Sequence, residues 1–237
     1  MVDDPIYLGS ALRSVQYAAI TTVLCLCIGY PFAYFMARAR KGVQALLLML
    51  VMLPFWTSFL LRAYAWKGLL SPNGWVHDFM VGTGLDQVLA ALGFVPAPGQ
   101  LMNTPFSLVV GMVYTYLPFM ILPLYASLER LDPTLDEAAM DLGSRPARVF
   151  LDVTLPQSIP GIIAGGMLVF IPAAGELVIP TLVGDAGSPM IGRLISDEFS
   201  QARDWPMAAA IAVALLVLMV GPTMIYSRYQ AKAEGST

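Results

Sequence analysis

Long apolar runs separated by polar connections dominate the chain. Five of these runs are long enough to cross a bilayer as a helix, which takes about 20 residues. We place the spans near residues 11–37, 43–65, 104–127, 160–182 and 206–227. Strand-like alternation is absent, and a single span in lipid must satisfy its own backbone hydrogen bonds. The pattern therefore predicts an all-α integral membrane protein, a bundle of five transmembrane helices forming one domain over residues 1–237.

Lys and Arg in the short connections predict the orientation, because cytoplasmic loops carry the excess of positive charge. One side of the predicted bundle carries Arg38, Arg40, Lys41, Arg130, Arg145, Arg148, Arg228 and Lys232, and the other carries Arg13, Arg62, Lys67, Arg193 and Arg203. The first side is expected to be cytoplasmic, which places loop 128–159 in the cytoplasm and loops 66–103 and 183–205 outside. An odd number of spans leaves the N-terminus outside. Since the first residues have no signal-peptide pattern, we expect a helix upstream of Met1.

Composition supports the membrane class and offers little for metal or nucleic-acid chemistry. The chain is 57% hydrophobic and 12% charged, whereas soluble domains carry roughly a quarter charged residues. A net charge of -3 gives no reason to expect nucleic-acid binding. Cys25 and Cys27 lie two apart in an apolar run, where helical residues do not face each other. With a single distant histidine, His77, they form no zinc set.

Prolines and one carboxylate interrupt the spans. Proline removes a helical hydrogen bond and favours a kink, and prolines lie inside the predicted spans at positions 31, 54, 118, 123 and 172. Glu176 is the only acidic residue that we place within a span, one residue after Gly175. An intramembrane charge usually faces a polar interior and marks a transport pathway. A hydrated carboxylate at a helix break near the outer interface is the alternative interpretation.

The cytoplasmic loop has the signals of a short surface helix over 131–143. Asp132 suits the N-cap, Pro133 the first helical position, and Gly143 the C′ position at which helices end. One narrow face combines apolar and small residues at helical spacing: Leu135, Ala138, Ala139 and Leu142. Pro146 is expected to open a second short helix, 146–154, that stops at Pro156. A plain connecting hairpin is the alternative, but two alanines on one face allow close approach by another surface.

The same loop resembles a known family. Glu137, Ala138 and Ala139, then Gly143 after three residues, then Val153, Leu155 and Pro156 match the EAA motif of ABC-importer permeases at every spacing, with Val153 in place of the usual Ile. Stretches 54–66, 175–180 and 204–206 resemble the putrescine/spermidine permeases in particular. The resemblance implies the type I permease fold, usually with six spans, so the first span is expected to be missing here.

The resemblance implies the partners and the roles of the site residues. Loop 128–159 would be the coupling helix that docks on a separate ATPase subunit dimer, through Glu137, Ala138, Ala139, Gly143, Leu155 and Pro156. The other expected partners are a second homologous permease, a periplasmic or extracellular substrate-binding protein and membrane lipid. The expected location is a bacterial inner (plasma) membrane. The chain has no GxxxxGK[ST] loop for phosphate, so ATP is expected on the partner subunit and no cofactor or enzymatic activity on this one.

The expected substrate is a small cation, such as putrescine or spermidine, moved inward by alternating access. Glu176 would attract its ammonium groups, and Tyr114 or Tyr116 would add cation–π contacts. Another substrate of the same machine, such as ferric iron, a phosphonate or an opine, stays open. A secondary transporter would favour intramembrane charge pairs and repeat symmetry, and a membrane enzyme or assembly scaffold would need a polar catalytic cluster; the sequence shows none of these features.

Overall fold

A computed structural model describes residues 5–185, 187 and 189–234. Residues 1–4, 186, 188 and 235–237 lie outside the described residues. The prediction about the native start at Met1 falls on the first of these and stays a prediction. The described residues form α-helices and short helical turns and no strand. The helices are α1 Pro5–Arg38, α2 Lys41–Met52, α3 Phe59–Leu70, α4 Trp75–Gly82, α5 Leu85–Ala91, α6 Pro105–Glu129, α7 Pro133–Asp141, α8 Pro146–Val149, α9 Leu155–Ala174, α10 Val178–Val183, α11 Ile191–Asp197 and α12 Trp205–Glu234.

Within the described part of the chain, three helices are by themselves long and apolar enough to cross a membrane: Ile6–Arg38, Pro105–Glu129 and Pro146–Ala174. A fourth span results if the bent pair Lys41–Trp56 and Phe59–Gly82 is counted as one, and Trp205–Gly221 is a shorter apolar helix. The described helices cover all five predicted spans, and the all-α prediction is confirmed.

Two of the predicted spans are broken. Within 43–65, α2 ends at Met52, a tight helical turn covers Leu53–Trp56, and α3 begins at Phe59. Pro54 lies in that turn, as expected of a residue without an N–H to donate. Within 160–182, α9 ends at Ala174 and α10 begins at Val178. Pro31, Pro118 and Pro123, by contrast, lie inside continuous helices.

The predicted stop at Pro156 is wrong. The backbone runs from α8 through a π-helical turn at Phe150–Thr154 directly into α9. Leu155 donates its N–H to the carbonyl of Phe150, five residues back. A wider π turn changes which carbonyl each N–H meets. The helix can therefore continue past a proline that would clash with the regular ladder.

The chain divides into two compact units. The first unit comprises Met1–Thr21, Pro54–Thr115 and Phe170–Val220, and the second comprises Thr22–Leu53, Tyr116–Val169 and Gly221–Thr237. Leu70, Val95 and Leu101 form a buried cluster in the first unit, between α3 and the segment before α6. The hydroxyl of Ser14 on α1 accepts the N–H of Ile191 at 2.8 Å, so α11 begins directly against α1.

In the second unit, glycines let helices pack with little separation. Gly161 and Gly165 of α9 face α6, where a Cβ on Gly161 would lie 2.5 Å from the Ser127 Cβ. A Cβ on Gly165 would lie 2.8 Å from the Met120 sulfur. Small residues four apart are a common means of close helix packing in membranes. Gly29 of α1 likewise faces Met120, at 3.2 Å from an added Cβ to its Cγ.

Candidate coupling and pathway sites

Local signals set both ends of α7. The Asp132 carboxylate accepts the N–H of Thr134 at 3.0 Å, and this bond lowers the pKa of Asp132. A lowered folded-state pKa means that the cap contributes at neutral pH and is lost only as the pH falls through that lowered value. Pro133 follows at the first helical position, where no N–H is needed. The predicted N-terminal cap is therefore present in the structure.

The other end of α7 is a Schellman motif. Gly143 has a φ of +85°, the left-handed region that glycine adopts without a steric penalty. Gly143 donates its N–H to the carbonyl of Met140 at 2.8 Å, and Ser144 donates its N–H to the carbonyl of Ala139 at 3.1 Å. This paired arrangement satisfies carbonyls that the helix leaves unbonded. Gly143 thus has the C′ role that its position in the sequence indicates.

The predicted apolar face of α7 is largely uncovered. Leu142 is 89% exposed, Leu135 is also exposed, and so are Glu137 and Ala138, while Ala139 is half-buried. Of the later motif residues, Leu155 is half-buried and Pro156 exposed. Exposed leucines beside alanines suit a surface that another protein covers.

Asp136, on the side of α7 next to α1 and α9, was not among the sequence-predicted site residues. Its carboxylate forms an ion pair with Arg38 at the end of α1. It also accepts a hydrogen bond of 3.2 Å from the Thr154 hydroxyl, one residue before α9. Residues 98 positions apart in the chain meet here, and spacing along the sequence gives no signal of such a contact.

Glu176 lies at the break between α9 and α10 and is only 7% exposed. Its Oε1 atom accepts the N–H groups of Leu177, Val178 and Ile179 at 3.1, 2.9 and 3.4 Å. A carboxylate at a helix N-terminus is favoured by the unbonded N–H groups and by the helix dipole. Because the side chain takes these donors, they are not available to continue α9, which explains why the predicted span is interrupted.

Gly192 allows α11 to press against this break. A Cβ on Gly192 would lie 2.6 Å from the carbonyl oxygens of both Gly175 and Glu176. The segment before α10 is therefore held by backbone contact on one side and by its own carboxylate on the other. Together these contacts fix the position of the Glu176 carboxylate.

The two predicted tyrosines lie in different surroundings. Tyr114 is 40% exposed, and its ring packs edge-on against Trp66 of α3 at 5.5 Å between centroids. Trp66, Gly111 and Ile179 line a small cavity in the first unit, one helical turn from Tyr114 along α6. Tyr116 belongs to the second unit, is buried and contacts Phe119 at 6.2 Å. The structure thus places Tyr114, and not Tyr116, in the unit that contains Glu176.

The pairing of Trp66 with Tyr114 was not predicted from the sequence. The two residues lie on separate helices, so only the packing of α3 on α6 brings them together. Among the described residues, no group of three or more His, Cys, Asp or Glu side chains could hold a metal ion.

Comparisons with known proteins agree with this arrangement. Residues 26–232 match the family described as "Binding-protein-dependent transport system inner membrane component". The chain is 40% identical over 225 residues to the spermidine/putrescine transport system permease protein PotB of Escherichia coli (strain K12), covering 95% of this chain and 78% of that protein. It is also 40% identical to the PotB protein of Haemophilus influenzae (strain ATCC 51907 / DSM 11121 / KW20 / Rd), with 95% and 76% covered.

A solved structure supports the fold. The bacterial alginate ABC transporter in complex with alginate pentasaccharide-bound periplasmic protein has a chain that superposes with a TM-score of 0.69 at 15% identity, covering 98% of this chain and 81% of that one. At that identity the likeness shows the fold alone. The family predicted from the loop motif is confirmed: the chain belongs to the inner-membrane permeases of binding-protein-dependent ABC importers, which are transport components rather than enzymes.

Proposed function

We propose that this permease imports a small organic polycation, of the putrescine and spermidine class, through the inner membrane. The single observation that carries the substrate class is the 40% identity to the spermidine/putrescine permease PotB over 95% of the chain. Another substrate in the same machine, such as ferric iron, a phosphonate or an opine, is the alternative.

The pathway half of the proposal rests on the first unit. Glu176 supplies a fixed negative charge beside a helix break, and unwound backbone between half-helices is where transporters commonly bind substrate. Tyr114, partly exposed and backed by Trp66, offers an aromatic face of the kind that attracts ammonium groups. Since Glu176 is nearly buried here, a substrate reaches it when the surrounding helices open. Tyr116, the other predicted pathway residue, is buried in the second unit, and its pathway role stays a prediction.

The coupling half rests on α7. Its uncovered apolar face is proposed to dock on a separate ATPase subunit, one of a dimer that binds and hydrolyses ATP. Glu137, Ala138 and Ala139 lie on the docking helix, and Gly143 fixes its end. Leu155 and Pro156 follow the π turn that joins α8 to α9 and so connect the docked loop to a span.

The remaining partners are proposed from the family to which the chain belongs. A second homologous permease and a periplasmic substrate-binding protein complete the proposed complex. Lipid is the proposed neighbour of α12, whose exposed residues include Val213, Leu216 and Val217.

The substrate class is tested by ATPase stimulation in nanodiscs that hold this chain, its partner permease and the ATPase. The binding protein is added with putrescine, spermidine, Fe³⁺, a phosphonate or an opine in separate assays. The proposal is supported if putrescine and spermidine stimulate the ATPase and the other three ligands do not. Stimulation by one of the other ligands and not by polyamines contradicts the substrate class and leaves the importer class standing.

A further inference from the structure

Asp136 connects the proposed coupling helix to two membrane-spanning helices at once. Its Oδ2 pairs with the Arg38 guanidinium, and its Oδ1 accepts the Thr154 hydroxyl at 3.2 Å. The Asp136 side chain is 15% exposed and the Arg38 side chain 32% exposed, so the carboxylate is the better shielded partner. A charge-assisted bond that is partly shielded from water is stronger than an exposed surface pair. Each carboxylate oxygen thus holds a different helix.

Arg38 is itself held in place by an aromatic contact. Its guanidinium carbon lies 5.5 Å from the centroid of the Tyr34 ring, within cation–π range. Tyr34 in turn packs edge-on against Phe150 at 5.9 Å. The ion pair therefore rests on a side chain whose own position is fixed, which reduces the conformational entropy lost in forming it.

The contacts continue along both helices. Tyr30, Tyr34 and Arg38 are spaced by four residues on one face of α1. Tyr30 packs on Phe150 at 5.6 Å and lies 2.8 Å from the Ser158 hydroxyl. Because the Ser158 proton is donated to the carbonyl of Leu155, the Tyr30 hydroxyl is the donor in this pair. The partners Phe150, Thr154 and Ser158 follow the same interval of four.

The π turn bears most of these partners. Phe150 and Thr154 are its first and last residues, and Thr154 is almost fully buried. The turn that carries the chain past Pro156 therefore also presents the hydroxyl that holds Asp136. Single-turn π segments inside helices often occur at functional sites.

We propose that Asp136 is a positioning residue for coupling: it makes α7, the end of α1 and the start of α9 move as one body when the ATPase moves α7. The proposal rests on the proposed docking of α7. Without Asp136, α7 would still dock through its exposed face. When the ATPase displaces it, however, α7 would move relative to α1 and α9 and would not carry them along. The expected defect is hydrolysis without transport.

The first test compares Asp136→Asn with Asp141→Asn in the complete reconstituted complex. Asp141 is exposed on the same helix, so it controls for loss of a charge from α7. We expect Asp136→Asn to keep its ATPase activity and to lower uptake per ATP by about tenfold, because the substitution removes the charge that strengthens the bond to Arg38. Arg38→Asp combined with Asp136→Arg should restore part of the coupling. Equal losses of ATPase and uptake, or no change in either, would overturn the proposal.

The second test does not depend on the substrate. Cys25 and Cys27 are replaced by alanine, and spin labels are placed at Thr134 on α7 and Gln157 on α9. In the unaltered loop the label-to-label distance should be the same in nucleotide-free and nucleotide-trapped complexes. Asp136→Asn should shift or broaden it in the trapped state, and Asp141→Asn should not.

The two tests separate the proposals. If polyamines are not imported but the distance behaves as expected, the substrate class fails and the role of Asp136 stands. Two outcomes contradict the role of Asp136 whatever the substrate is. In one, the label-to-label distance of the unaltered loop changes when nucleotide is trapped; in the other, Asp136→Asn leaves the distance in the trapped state unchanged.

Discussion

Gly161 of α9 lies against Ser127 of α6 so closely that an added Cβ would be 2.5 Å from the Ser127 Cβ and 3.0 Å from the carbonyl of Pro123. Neither atom is the end of a flexible side chain. The neighbouring Gly166 faces Thr22 instead, with 3.7 Å from an added Cβ to its Cγ2, which is an ordinary contact. The site of Gly161 thus has no room for a Cβ, whereas the site of Gly166 does.

Gly161→Ala should therefore destabilise the permease by about 1–3 kcal/mol, as expected of overpacking, whereas Gly166→Ala should have little effect. The measurement is thermal unfolding of the purified protein in one detergent, followed by intrinsic fluorescence. Equal midpoints for the two variants would contradict the close packing of α9 on α6.

Gly143 offers a test of backbone strain alone, because a side chain added at this position would not collide with other atoms. No atom lies within 4 Å of a Cβ built on Gly143 or on Gly42, but only Gly143 has a positive φ. A left-handed conformation costs an L-residue roughly 1–2 kcal/mol, so Gly143→Ala should weaken the end of α7 and Gly42→Ala should not weaken its helix comparably.

Hydrogen exchange reports this difference directly. The amides of Gly143 and Ser144 close the Schellman motif. In the alanine variant their exchange should be about 5- to 30-fold faster, the factor that corresponds to that free energy. Unchanged exchange at position 144, or an equal effect of Gly42→Ala at the start of α2, would contradict the assigned role of Gly143.

For Glu176, charge and capping can be separated by two substitutions. Glu176→Gln keeps a carbonyl oxygen that can accept the N–H groups of residues 177–179, and Glu176→Ala removes the acceptor. If the charge attracts a cationic substrate, both variants should lose most polyamine uptake while ATPase stimulation by the binding protein persists in Glu176→Gln. Normal uptake in Glu176→Gln together with loss in Glu176→Ala would assign the residue a capping role alone.

The elements that local chemistry determines were predictable from the sequence. Asp132, Pro133 and Gly143 act on atoms within a few residues of themselves, so their types and spacing indicated the bounds of α7. Pro54 lies at a break, but the same signal at Pro31, Pro118 and Pro123 lies inside continuous helices, so a proline alone did not indicate where a span is interrupted. Pro156 was misinterpreted because a proline shows that a regular ladder cannot pass, and does not show whether the helix ends or widens into a π turn.

Contacts between distant segments were beyond the sequence. Arg38, Asp136 and Thr154 each have an ordinary local interpretation: a cytoplasmic positive charge, an acidic residue in a first turn and a polar residue before a span. Their meeting depends on how α1, α7 and α9 pack. The same holds for Trp66 and Tyr114, and for Gly192, whose need for glycine follows only from the carbonyls that face it.

The most direct test of the central claim is ATP-driven uptake of labelled putrescine and spermidine into liposomes that contain this chain, its partner permease and the ATPase, with and without the binding protein. The account predicts uptake that requires both ATP and the binding protein and that unlabelled polyamines compete away. No uptake by an assembled complex whose ATPase is stimulated by its binding protein would contradict the polyamine assignment.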